Sequence, residues 1–239
     1  MASSSMQLKR RKIVSPEEWV AARKEFLAKE KEFTRVRDEL SRQRRELPWE
    51  KVEKQYAFET PRGKEMLADL FGKRSQLIVY HFMLGPGWSE GCKGCSFMAD
   101  QFDGMAIHLA HRDVALVVVS QAHLAEIEAF KKRMGWRFPW VSSFGSDFNS
   151  DYHVSFAKTE TEVNYNYGMT KFASEELPGA SVFYKDETGV FHTYSTYARG
   201  LDILVGTYNF LDIAPMGRDE GGLPHNMAWL RHHDKYSDI

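Results

Sequence analysis

Residues Gln76 to Leu84 (QLIVYHFML) form an almost uninterrupted apolar run rich in β-formers. A strand reads this way when it is covered on both faces, which places it inside a sheet with layers packed above and below. Val114 to Ser120 (VALVVVS) repeats the pattern. Between the two runs lie a Gly/Pro loop (Gly85-Pro86-Gly87), the pair Cys92-Lys93-Gly94-Cys95, and a stretch from about Cys95 to Ala110 that reads as helix. Buried strand, helix and buried strand in that order predict an α/β core rather than an all-β or all-helical one.

The rest of the chain fits around that core. Ser15-Pro16-Glu17-Glu18 predicts a helix start, with Ser15 as cap, Pro16 at the first helical position and Glu18 closing a capping box. The helix is expected to run to about Arg45, before Leu47-Pro48, with Glu25/Lys29 and Asp38/Arg42 as i,i+4 pairs. Its apolar residues Trp19, Phe26, Phe33 and Leu40 recur every seven, but the companion positions are charged (Arg23, Glu30, Arg37). A coiled coil needs two rows, so one narrow stripe on a mostly solvated helix is expected. Tyr56 to Phe58 reads as a short strand and Pro61-Arg62-Gly63 as a turn. Leu124 to Met134 reads as a helix ending at Gly135. Trp136 to Ser155 is loop-rich, and residues 157–178 show no period. Ser181 to Tyr184 and Val190 to Tyr197 predict a hairpin turning through Asp186 to Gly189, and Leu201 to Leu211 a closing helix. A tail and long amphipathic helix over 1–48 and one domain over 49–239 follow as the expected organisation.

No apolar run approaches the roughly 20 residues of a membrane span. No apolar segment follows Leu8-Lys9-Arg10-Arg11-Lys12, so no secretory leader and no membrane partner are predicted, and a cytoplasmic location is expected. A net charge of −1 suggests no nucleic acid partner. The charge is unevenly placed, with 13 Lys/Arg against 8 Asp/Glu in residues 1–48 and 19 against 25 in the remainder. A basic extension of this kind can dock on its own body, an acidic partner or another copy, which makes a homo-oligomer through the N-terminal helix a further expectation.

The chemistry concentrates at the two cysteines. Two cysteines three positions apart close almost no loop and build no disulfide framework, so a catalytic or metal-binding role is expected. Cys92 falls after a central strand and at the mouth of a helix, where first-turn N–H groups and the helix dipole stabilise a thiolate. Lys93 adds a positive charge. Cys95, one turn in, is less exposed and within reach of a mixed disulfide on Cys92. The bland alternative is two small residues buried at a helix start. For zinc, Cys92 and Cys95 are followed by His108 and His111, but a continuous helix would put His108 about 20 Å from Cys95. Histidines from elsewhere (His225, His232, His233) are the remaining metal candidates. Ser89, three before Cys92, could bond a thiolate or a bound peroxide, with Pro86 in the same loop. Trp88 and Trp140 flank the pair and are candidates for a substrate groove, with core packing the competing reading. His81 is expected to be a satisfied core histidine. Tyr194, Tyr197 and Arg199 are candidates for a polar pocket.

Several strings carry a family resemblance. They are Tyr80-His81-Phe82-Met83, Gly91-Cys92 through Cys95-Ser96-Phe97, and Met134-Gly135-Trp136 through Phe138-Pro139-Trp140-Val141-Ser142-Ser143. Gly145-Ser146-Asp147-Phe148-Asn149, Ser181-Val182-Phe183-Tyr184 and His192 through Asp202 belong with them. Together they resemble a thioredoxin-like family labelled domain of unknown function 899. The resemblance implies a thioredoxin-like three-layer sandwich with a central mixed sheet and an N-terminal helical extension. It supplies no substrate. By analogy with thioredoxins it implies Cys92 as nucleophile and Cys95 as resolving thiol. It also directs attention to Pro178, near the place of the cis-proline that faces the dithiol in thioredoxins. Gly91 stands where thioredoxins carry tryptophan.

The functional expectation is a thiol–disulfide oxidoreductase with no cofactor, acting on a disulfide-containing protein or a small thiol substrate. A non-catalytic scaffold assembling through the N-terminal helix and a peroxiredoxin-like thiol peroxidase are the alternatives.

Overall fold

The computed structural model describes residues 11–171 and 174–237. Most of the basic run Leu8 to Lys12 therefore lies outside the described residues. The chain divides into two compact units, meeting between Pro48 and Trp49.

The first unit is helix α1 (Pro16–Arg44) and its ends. Ser15 Oγ accepts the Glu18 N–H at 3.2 Å and Glu18 Oε2 accepts the Ser15 N–H at 3.0 Å, which is the capping box expected from sequence. Arg42 pairs with Glu39 at 2.7 Å and with Glu46 rather than with Asp38. Within this unit no side chain of α1 is buried, because a lone helix has nothing to cover its stripe.

The second unit holds strands β1 (Glu50–Lys51), β2 (Ala57–Thr60), β3 (Gly63–Met66) and β4 (Gln76–His81), then α2 (Lys93–Ala99), α3 (Phe102–Ala110), β5 (Val114–Ser120) and α4 (Leu124–Arg133). It continues with β6 (Trp140–Ser142), α5 (Phe148–Asp151), a small hairpin of β7 (Val163–Tyr165) and β8 (Gly168–Thr170), the long hairpin β9 (Gly179–Asp186) and β10 (Gly189–Tyr197), and α6 (Gly206–Ile213). The sheet order is β1-β10-β9-β4-β5-β6-β2-β3. β4 runs parallel to β5 and antiparallel to β9, and β9 is antiparallel to β10. The core order β10-β9-β4-β5, with α2 and α3 crossing from β4 to β5, is the thioredoxin topology, extended here at both edges.

Alternation along β4 explains the apolar run. Tyr80, Phe82 and Leu84 join one core cluster, with buried residues of α2, α3, α4 and α6. Leu77 and Val79 point to the other, with Phe148, Tyr152 and the segment Leu67 to Phe71. These two covers and the sheet between them make the three layers.

The helix predicted from Cys95 to Ala110 is broken into α2 and α3. Neighbours use the side chains at the break: Asp100 accepts the Trp136 indole N–H at 2.9 Å, and Gln101 donates to the Leu204 carbonyl at 2.7 Å. The closing helix is also divided, into a 3-10 turn (Ala198–Leu204) and α6. β6 lies in the stretch read as loop-rich. Three residues are too few to show a period, and its strand character comes from pairing with β5.

Candidate active site

Cys92 caps α2, and two contacts tie the loop it sits on to the end of β4. Its N–H donates to the Met83 carbonyl at 3.0 Å, and the Met83 N–H points to Cys95 Sγ at 3.5 Å. Ser96, fully buried, donates its hydroxyl to the Cys92 carbonyl at 2.9 Å. The motif is thus anchored on both sides of Cys92. Both cysteines are free thiols; Cys92 is half-buried and Cys95 buried.

The two sulfurs have opposite electrostatics. Cys92 is lowered to about 6, by a hydrogen bond from the Cys95 thiol first, then by the Cys95 and Gly94 N–H groups and the Lys93 charge, against the opposing effect of burial. Cys95 is pushed up by burial and by the neighbouring Cys92. At neutral pH the pair is one thiolate held by one thiol. Lys93 itself is exposed and acts through its charge.

Three residues near the motif were not singled out from sequence. Tyr80 packs in the same buried cluster as Cys95. Burial raises the Tyr165 hydroxyl, which donates to the Pro178 carbonyl at 2.7 Å and accepts the Ala198 N–H at 2.9 Å. Met227 lies against Gly94. An added Cβ on Gly94 would stand 3.6 Å from Met227 Sδ and 3.8 Å from Cys92 Sγ, so both sulfurs flank the same point. Alternation in β4 could have singled out Tyr80, which shares a face with Phe82; nothing local marks Tyr165 or Met227.

The groove candidates separate. Trp88 is half-buried, its indole folded back over Gly85, and Ser89 is exposed on the loop entering α2. Trp140 is a correction. It is 1% exposed, donates its indole N–H to Ser120 Oγ at 3.0 Å and packs against Phe82, so it lines core rather than groove. Pro178 is half-buried just before β9, and no cis peptide bond occurs among the described residues. The peptide before Pro178 is therefore trans, unlike the proline that faces the dithiol in thioredoxins.

Gly91, where thioredoxins carry tryptophan, has a steric cause. An added Cβ would lie 2.5 Å from the Phe82 ring and 2.7 Å from the Phe130 ring. Gly91→Ala is expected to cost about 1–3 kcal/mol by overpacking and to displace Cys92; urea denaturation and the thiol pKa check it. An unchanged midpoint and pKa would mean that the rings yield freely.

The histidines take other roles. His232 and His233 lie against the motif, bonded to the Gly91 carbonyl and to Asp100. Among the described residues no group of three His, Cys, Asp or Glu side chains could hold a metal ion. His81 is 1% exposed, bonds Ser181 Oγ at 2.9 Å and is pushed down to about 3 by burial, which makes it a neutral core histidine. Tyr197 lines a cavity of about 520 Å³ with His192, Tyr56, Tyr152 and Tyr167. That cavity includes neither cysteine.

A family model described as "Bacterial protein of unknown function (DUF899)" matches residues 8–236. The chain belongs to this family. No curated protein matches this DUF899 chain. Among solved structures it is similar to a cysteine-to-serine mutant of peroxiredoxin Q from Xanthomonas campestris, at 12% identity over 64% of this chain and 90% of that one, with a TM-score of 0.42. It is also similar to a cysteine-to-serine mutant of PrxQ from Xylella fastidiosa (12%, 65% and 89%, 0.43) and to peroxidoxin BcpB from Mycobacterium tuberculosis (12%, 67% and 95%, 0.44). At these values the likeness carries nothing about chemistry. No helix among the described residues is long and apolar enough to cross a membrane.

Proposed function

We propose that this DUF899 chain is a thiol–disulfide oxidoreductase. One observation carries the reading: a half-buried sulfur at the mouth of α2 is lowered to about 6 beside a buried second thiol. The Cys92 thiolate attacks one sulfur of a substrate disulfide, forming a mixed disulfide and expelling the first substrate thiolate. Cys95 then gives up its proton to the departing thiolate and attacks Cys92, leaving a Cys92–Cys95 disulfide and a fully reduced substrate. An external dithiol reductant returns the pair to its starting state. With Cys95→Ser, a covalent adduct on Cys92 is expected to persist and to be seen by mass spectrometry. Complete absence of adduct with disulfide substrates would count against the cycle.

A hydroperoxide can enter the same pair. Attack by Cys92 would give a sulfenic acid and an alcohol, and Cys95 would condense with it, releasing water. Ser89, exposed three residues before Cys92, is the observation on this side. Turnover of a hydroperoxide compared with a small disulfide decides between the two.

A scaffold reading rests on α1, whose own unit leaves Trp19, Phe26, Phe33 and Leu40 uncovered. Self-association through this helix predicts that removing residues 1–48 lowers the sedimentation mass to that of a monomer, while Cys92→Ser leaves it unchanged. Equal association states with and without the helix would sink that reading.

A further inference from the structure

Residues 229–235 lie against both flanks of the dithiol motif. His232, 1% exposed, bonds the Gly91 carbonyl through Nε2 at 2.9 Å. Lys235 pairs with Glu90, and Arg133 joins Glu90 at 2.6 Å to Asp234 at 2.8 Å. Trp229 meets Phe97 edge-on with ring centroids 5.5 Å apart, and His233 Nδ1 lies 2.6 Å from Asp100. Residues before and after Cys92-Lys93-Gly94-Cys95 are therefore held by one stretch of chain.

That stretch is braced, not draped. Glu220 accepts the Met227 N–H at 3.0 Å and the Trp229 indole N–H at 2.8 Å, and Leu230 is 1% exposed. Met227 adopts φ 68°, a left-handed conformation unusual for a side chain of this kind. The surrounding bonds hold that conformation, and its result is a thioether against Gly94, the residue on which Cys92 Sγ also closes.

We propose that residues 225–236 form a fixed strap that restricts Cys92 to low-molecular-weight disulfides and excludes folded protein substrates. The substrate class rests on the oxidoreductase reading above; the strap itself does not. A disulfide in a folded protein must bring its flanking backbone alongside the attacking sulfur, and here Met227 and the braced segment occupy that flank. A small disulfide needs only a path to one sulfur in line with Cys92 Sγ.

The test compares alkylation of Cys92 by iodoacetamide with alkylation by a maleimide carried on a polyethylene glycol of about 5 kDa, each rate divided by that of a free small thiol with the same reagent. In the wild-type chain the bulky reagent is expected to lag by about a hundredfold after that normalisation, because it waits for local opening. Arg133→Gln, which removes the ties to Glu90 and Asp234, and Met227→Gly, which accepts the left-handed backbone and removes the thioether, are each expected to narrow that lag by about tenfold. Turnover of a small disulfide should stay within about twofold in Arg133→Gln. Should one variant fail to fold, the other and the wild-type ratio still decide. A wild-type ratio equal to that of the free thiol, or a lag untouched by a folded variant, overturns the strap. A large lag without turnover of any disulfide would instead leave the strap standing and remove the oxidoreductase reading.

Discussion

Cys92→Ser is expected to lower disulfide reduction by about a thousandfold or more, since a serine hydroxyl is not ionised near neutral pH and cannot replace a thiolate nucleophile. The more searching measurement is the pH profile of Cys92 alkylation in the wild-type chain. The thiolate is the reactive form, so the rate should rise about tenfold per pH unit below the midpoint and level off above it. With Cys92 lowered to about 6, the plateau is reached by neutral pH. The Cys95 thiol is the largest source of that lowering, ahead of the backbone N–H groups and Lys93. Cys95→Ala should therefore move the midpoint up toward the ordinary thiol value, and Lys93→Ala should move it less. An inflection near 9 in the wild-type chain would remove the basis for a reactive Cys92. A larger displacement in Lys93→Ala than in Cys95→Ala would mean that charge, not the thiol pair, sets the site.

The second large effect lies away from the sulfurs. Glu176 is 6% exposed, and burial raises its carboxyl from 4.5 to about 8. Ser155 Oγ lies 2.8 Å from both carboxyl oxygens, a geometry that suits a neutral acid: its O–H can donate to the serine while its carbonyl oxygen accepts in return. The sign follows from linkage. The folded state binds this proton more tightly than the unfolded chain, so the benefit is complete below about 4.5 and is lost as pH rises through about 8. At about 1.4 kcal/mol for each tenfold in proton affinity, the loss across that window is several kcal/mol. Cys92 acts in the opposite sense at higher pH. Its thiolate stabilises the folded state above about 9, and that contribution is lost as pH falls through about 6. The difference between wild type and Glu176→Gln isolates the carboxyl. Denaturation midpoints should diverge in favour of the glutamine variant as pH rises from 5 to 8. Parallel curves would show that Glu176 is ionised in the folded protein at little cost.

Wherever local periodicity or turn chemistry decides, the chain announces its structure in its residues. The capped start of α1 at Ser15, the apolar run of β4, the β5 run and the β9–β10 hairpin around Asp186 to Gly189 are legible because each needs only neighbours a few positions away. The place of Cys92 at a strand–helix junction belongs with them. What decides the character of the site comes from far along the chain. His232 reaches Gly91 across 141 positions and Lys235 reaches Glu90 across 145. The break between α2 and α3 answers to Trp136 and Leu204, and Trp140 lies in the core because β6 pairs with β5. No periodicity encodes such contacts, since they arise only when packing brings separate elements together. The residues alone thus determined that a dithiol would meet a helix start in an α/β core. Only tertiary packing decided that Tyr80 and Cys95 would share one buried cluster, and that residues 229–235 would lie against both flanks of the motif.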